Sequence, residues 1–158
     1  MADRIRVLKG LEIGAIFRDL IGKAVQTKDL PPVKAADAFY IVANYVREDG
    51  TLGASFAVDL PLAASMAAAL TLVPPGIADD SVRAKKLEPL LEENLAEVLN
   101  VAGRFFNSAT SPRVILKGMT KPPCDAAVKQ FWASAPTRAT MDVTVAGYKG
   151  GKLALVAA

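Results

Sequence analysis

The chain of 158 residues has no histidine and a single cysteine, Cys124. The absence of histidine excludes Ser-His-Asp and Cys-His nucleophilic chemistry, and with it most zinc sites. Any chemistry must come from carboxylates, amides, hydroxyls, lysine or arginine. One cysteine permits no internal disulfide, so the chain reads as cytoplasmic. Aromatic residues are scarce at 6%, and the basic residues are scattered, with only Arg83, Lys85 and Lys86 close together. Nucleic-acid proteins show denser basic stripes and stacking aromatics, so no nucleic-acid partner is expected. A net charge of +3 fits a mixed, solvated surface. There is also no long hydrophobic run. The most apolar stretch, LPLAASMAAALTLV at 60–73, is too short and too alanine-rich to span a bilayer and reads as a buried helix. The opening MADRIRVLKG is too charged for a signal peptide.

What is present is aliphatic. Apolar residues make up 52% of the chain, enough for one domain over 1–158 with a real core. Apolar residues at Ile13, Ile16, Phe17, Leu20 and Ile21 predict a helix over 11–25. DLPP at 29–32 ends it. AFYIVANYV at 38–46 is β-rich, Asp49-Gly50 signals a hairpin, and LGASFAVDL returns as a strand. Asp59 is a candidate N-cap for a helix over 61–72. PPG at 74–76 breaks the chain. ADDSV, with Asp80 or Ser81 as cap, starts a long helix to about Phe106, which Pro89 kinks or divides. NSATSP at 107–112 is a turn and RVILKGM at 113–119 a strand. KPPCD leads into an amphipathic segment to about Trp132, which belongs to core or rim. RATMDVTVAGY alternates as a strand, and KLALVAA closes the chain as another.

Most strands are hairpin neighbours, which predicts an α+β domain of two layers: a mainly antiparallel sheet with long helices on one face. A helix followed by a hairpin occurs twice, as in a duplicated chain. LEIGAIFRDLIGK at 11–23 can be laid on AEVLNVAGRFFNS at 96–108, so that Glu12 meets Glu97 and Ala15 meets Asn100. Two amphipathic helices always look somewhat alike, so this pairing alone does not decide the matter.

The stretch ENLAEVLNVAGRFFN places Glu97 and Asn100 three residues apart on a helix and runs on into Gly103. Their side chains project from one face, with Leu95, Leu99 and Ala102 on the buried side. A carboxylate there can grip a partner's lysine or arginine. An amide carries both donor and acceptor and can orient a water for in-line attack on a phosphoryl group. That task asks little of a general base and needs no histidine. Taken alone, the pair reads equally as ordinary helix surface, with Asn100 bonding its own backbone.

Twenty-two residues separate Asn100 from Pro123. The pattern Glu-x2-Asn-x22-Pro resembles the signature of the CheC/CheX/FliY phosphatases of bacterial chemotaxis. AEVLNVAGRF is similar to the helix of CheX-like proteins. SFAVDLPLAASMAAAL and RVILKGMTKPP look like the segments flanking it. The likeness covers roughly 50–125 well and the rest in outline. It implies a pseudo-duplicated fold and an aspartyl-phosphate phosphatase acting on a CheY-like response-regulator receiver. Glu97 then matches the acid that bridges to the receiver's lysine, and Asn100 the amide that positions the attacking water. Gly103 and Pro123 match structural positions. The magnesium belongs to the receiver, so no cofactor or metal is implied for this chain. A homodimer is implied, and apolar strands such as AFYIVANYV would offer it an edge.

The family pattern opens with Asp or Ser four residues before the acid. Here that position is Glu93, or Asn94 if the helix shifts. The first copy has Glu12 but Ala15 in place of the amide, which implies one active face per chain. Lys117 and Lys121 flank the Pro123 loop, where they could meet an acidic receiver surface or simply be solvated. Cys124 is a reactive thiol or, more in keeping with free cysteines generally, a buried one. A non-catalytic receiver-binding or flagellar-switch-like module of the same fold is the competing reading. A structural dimer domain without a receiver partner is the third.

Overall fold

The computed structural model describes residues 5, 7–107 and 113–158. Helix α1, Gly10–Ile21, buries Ile13, Phe17 and Ile21. It stops short of the expected Val25, because Gly22 adopts a left-handed φ of 69° and closes the helix with its N–H on the Arg18 carbonyl. The chain then enters a strand that the helical reading missed, β1, Val25–Leu30. Its residues are only half-buried or exposed, so its alternation is faint in sequence. After a 3-10 turn at Ala36–Ala38, β2 (Ile41–Val46) and β3 (Leu52–Val58) form the expected hairpin. Asp49 Oδ1 accepts from the Thr51 N–H and hydroxyl at 2.9 and 2.6 Å, and Gly50 takes φ 84°.

Helix α2, Leu60–Leu70, is capped as expected, with Asp59 Oδ1 accepting from the Leu62 N–H at 2.9 Å. The next expectation is corrected. The break falls at 71–74 and not at 74–76: Pro74 stands outside as the N-cap, and Pro75 opens α3, Pro75–Ala84, where its missing donor costs nothing. Asp80 and Ser81 therefore lie inside a helix and cap nothing. Lys85, at φ 58°, ends α3, and Pro89 starts a separate helix α4, Pro89–Val101. A 3-10 turn at Ala102–Phe105 follows directly. The turn expected at 107–112 falls, from residue 108 on, outside the described residues. Then come β4 (Ile115–Thr120), α5 (Ala126–Ser134, capped by Asp125), β5 (Thr137–Val145) and β6 (Gly151–Ala157).

The six strands form one sheet in the order β1-β5-β6-β3-β2-β4, and every pairing is antiparallel. Exchanging β1 with β4, β2 with β5 and β3 with β6 turns this order into its own reverse. The strand order thus has the two-fold character that a duplicated chain predicts, centred on the β3–β6 pair. Each half sends its edge strand across to the other half. One consequence corrects the dimer argument: β2 is bonded on both sides and offers no edge. The open edges are β1 and β4.

Helices α1–α4 cover one face over the larger core, where Phe17, Phe56 and Phe105 meet with centroids 5.1 to 6.4 Å apart. Helix α5 covers part of the other face. Trp132 is buried there, 6.0 Å from the Phe39 ring, and its Nε1 donates to Ser55 Oγ at 2.9 Å. The architecture is the α+β antiparallel class read from the sequence, with this smaller second-face cluster added.

Candidate functional site

Helix α4 buries Leu91, Asn94, Leu95, Val98 and Leu99, and Ala102 is buried just beyond it. The opposite stripe leaves Glu93, Glu97 and Asn100 exposed. Four and seven residues apart, they share one face of the helix. Among the described residues, none of the three has a side-chain hydrogen bond or ion pair, so two carboxylates and one amide face solvent with their capacity free. Asn94 takes no part. Its Nδ2 donates to the Ala67 carbonyl at 2.9 Å and to Thr71 Oγ1 at 2.8 Å, clamping α4 against α2. Of the two residues that could stand before Glu97, Glu93 is the one on the open face.

The far end of α4 is held by a residue that the sequence reading did not single out. Tyr45, on β2, is fully buried, and its hydroxyl donates to the Leu99 carbonyl at 2.5 Å. Burial pushes its phenol far above the ordinary tyrosine range, so it remains a donor at every working pH. Nothing in AFYIVANYV distinguishes Tyr45 from a plain core aromatic. Gly103 lies in the 3-10 turn over the same ring, where a Cβ would sit 3.5 Å from Tyr45 Cε2. That is ordinary contact, so alanine would fit there.

Lys121 and Pro123 sit in the loop after β4. Lys121 Nζ bonds Glu92 Oε1 at 2.6 Å and lies 5.4 Å from the Tyr40 ring centroid. The hydrogen bond to Glu92 raises the lysine pKa, but both side chains are largely exposed and such a pair contributes little to stability. Pro123 is exposed and joined to Pro122 by a cis peptide bond. The Cys124 N–H donates to Asp37 Oδ1 at 2.9 Å, which holds that carboxyl below its usual range. This loop is thus tied to α4 at Glu92 and to the 3-10 turn at Asp37. Lys117 is exposed on β4. Cys124 is buried, and desolvation pushes its thiol up to about 11, so it is an unreactive thiol at neutral pH.

Concavities of about 510, 480 and 430 Å³ lie along β1 and α1, at the start of β5, and between β4 and α5. Glu97 and Asn100 line none of these three. They stand on a helix crest, a shape suited to a protein surface more than to an enclosed small molecule. Among the described residues, no cluster of three acidic or cysteine side chains could hold a metal ion, and no helix is long and apolar enough to cross a membrane.

No protein-family model and no curated protein matches this sequence. Solved structures do match the fold. The middle domain of FliM from Vibrio alginolyticus superposes with a TM-score of 0.60 at 11% identity, over 93% of this chain and 86% of that one. The FliM middle domain from H. pylori gives 0.56 at 6% identity, over 94% and 84%. FliY from Thermotoga maritima gives 0.47 at 13% identity, over 94% and 89%. The fold is that of the FliM middle domains.

Proposed function

We propose that this domain binds a phosphorylated CheY-like receiver through the exposed face of α4 and speeds hydrolysis of its aspartyl phosphate. The observation that carries the reading is the free, aligned set of Glu93, Glu97 and Asn100 on a domain with this fold. Glu97 anchors the receiver through a lysine, and Glu93 extends the acidic contact. The Asn100 amide accepts from a water and aims it at the phosphorus in line with the departing carboxylate. Such positioning is what a loose phosphoryl transition state rewards. The magnesium that neutralises the phosphoryl oxygens belongs to the receiver. Lys121, half-exposed beside Glu92, lies at the margin of this surface and adds a contact to the partner. The reading is CheX-like, with one active face per chain, because Ala15 stands where a second amide would be required. A homodimer formed along the open edge of β4, where Ile115 is 56% and Met119 42% exposed, completes it.

The test is phosphate release from a magnesium-bound, phosphorylated CheY-like receiver. The wild-type chain accelerates release. Asn100→Ala lowers turnover by about a hundredfold, the scale of losing one aimed polar group, and leaves receiver affinity unchanged. Glu97→Ala weakens binding by about fivefold or more. The fold match to FliM middle domains and the Glu93 departure favour a second reading, a switch-like module that binds a receiver without hydrolysing its phosphate. Binding by the wild-type chain with no acceleration would replace the first reading with that one.

A further inference from the structure

The regular hydrogen bonding of α4 ends one residue after Asn100. Its last regular bond runs from the Ala102 N–H to the Val98 carbonyl, and a 3-10 turn takes over at Ala102. The next carbonyl in line is that of Leu99, and the Tyr45 hydroxyl donates to it at 2.5 Å. A helix end is the part most prone to fray. Here the peptide between Leu99 and Asn100 is instead gripped by a side chain from the sheet. The grip comes from the core: Tyr45 is fully buried on β2, which is paired on both sides and shifts register at Tyr45 in both pairings, the kind of irregularity that re-aims a side chain. Its ring lies 5.2 Å from that of Phe106 and packs under Gly103. Packing alone does not explain the hydroxyl, since phenylalanine would fill the same volume. A buried phenol is costly unless bonded, and the partner it has is the carbonyl just before Asn100.

We infer that Tyr45 is a positioning residue for Asn100: its hydroxyl, through the Leu99 carbonyl, fixes where the amide projects from the end of α4. The functional part of this inference rests on the receiver-phosphatase reading above; the structural part does not. Aim matters because displacing a positioned group by about 1 Å costs up to about a hundredfold in rate.

The test compares Tyr45→Phe with Ser55→Ala in the full chain. Ser55→Ala removes a buried hydroxyl on the opposite face of the sheet, which accepts from Trp132 and is bonded to Ala43 and Asn44 of β2; it loosens the same strand without touching the Leu99 carbonyl and so controls for general loss of stability. Amide hydrogen exchange is read along α4, and the Asn100 side-chain amide is followed by NMR. Turnover and affinity are measured with a magnesium-bound CheY-like receiver, phosphorylated for turnover and loaded with beryllofluoride for affinity. In Tyr45→Phe, exchange in the last turn of α4 speeds up about tenfold while Leu91–Leu95 stays protected, and the Asn100 amide resonances shift. Turnover falls about tenfold at unchanged receiver affinity. Ser55→Ala does neither. Unchanged exchange and unchanged Asn100 resonances in Tyr45→Phe would overturn the inference, as would identical effects in both variants. If wild type releases no phosphate, the phosphatase reading falls, while exchange and resonance shifts still decide whether Tyr45 holds Asn100.

Discussion

Helices α1 and α4 occupy corresponding places in the two halves of the sheet, yet they use the same kind of residue differently. Each carries a glutamate on its exposed side. In α1, Glu12 turns back on its own helix and accepts from the Lys9 N–H at 3.4 Å, as a capping residue does. In α4, Glu97 lies beyond the first turn and has no such task. One turn further on, α1 has half-buried Ala15 and α4 has exposed Asn100. The endings differ too. Gly22 closes α1 by a left-handed turn, whereas α4 passes into a 3-10 turn under the grip of Tyr45. In one half the helix glutamate is engaged at its own cap, and in the other it is left in solvent.

The contrast can be broken or sharpened by substitution. The largest effect is expected where the second half is anchored on the first. Trp132 carries α5 and bonds Ser55 of β3, so Trp132→Ala lowers unfolding free energy by about 3–5 kcal/mol in urea titration. A loss below about 1 kcal/mol would mean that α5 is not part of the joint.

A smaller effect is expected at Asp59, which caps α2 and whose N–H bonds the Lys152 carbonyl of β6 at 3.0 Å. Asp59→Ala costs about 1 kcal/mol. Burial raises the Asp59 pKa, outweighing the hydrogen bond from Leu62 that lowers it. A carboxyl raised in the folded state contributes stability below its unfolded pKa and loses it as pH rises through the folded value. Asp59→Asn keeps the cap and removes that decline. Measured from pH 3 to 7, about the span of carboxylate titration, the stability of the Asn variant relative to wild type then increases with pH. A steeper fall in the Asn variant would refute the assignment.

The smallest effect is the most pointed. Ala15→Asn supplies α1 with the missing amide, yet turnover on the receiver stays at the wild-type level, since Glu12 remains engaged at the cap. A doubled rate would show that the first half holds a second competent face, and the contrast between the halves would collapse.

Much of this was legible in the residues. Asp59 before an alanine-rich run, Asp49-Gly50 between alternating segments, and Glu97 and Asn100 on one helical stripe each depend on neighbours a few positions away. The structure places all of them as read. The failures share a different cause. Val25–Leu30 is polar enough to pass for a helix end and a loop; it becomes a strand by pairing with β5, more than a hundred residues later. Pro75 reads as a breaker as readily as a first-turn residue until the helix after it packs. Glu93 and Asn94 could not be told apart until α2 supplied Ala67 and Thr71 as partners for the amide.

The sequence by itself determined the class of the fold, the Asp59 cap, the hairpin and the stripe of α4 that would be polar, because capping, turn chemistry and helical periodicity act over one or two turns of chain. Only the tertiary structure decided which strands are edges, which of two adjacent polar residues faces out, and that a tyrosine from β2 holds the end of α4 beside Asn100. Those outcomes depend on contacts between residues far apart in the chain, such as Tyr45 and Leu99, and no local pattern encodes them.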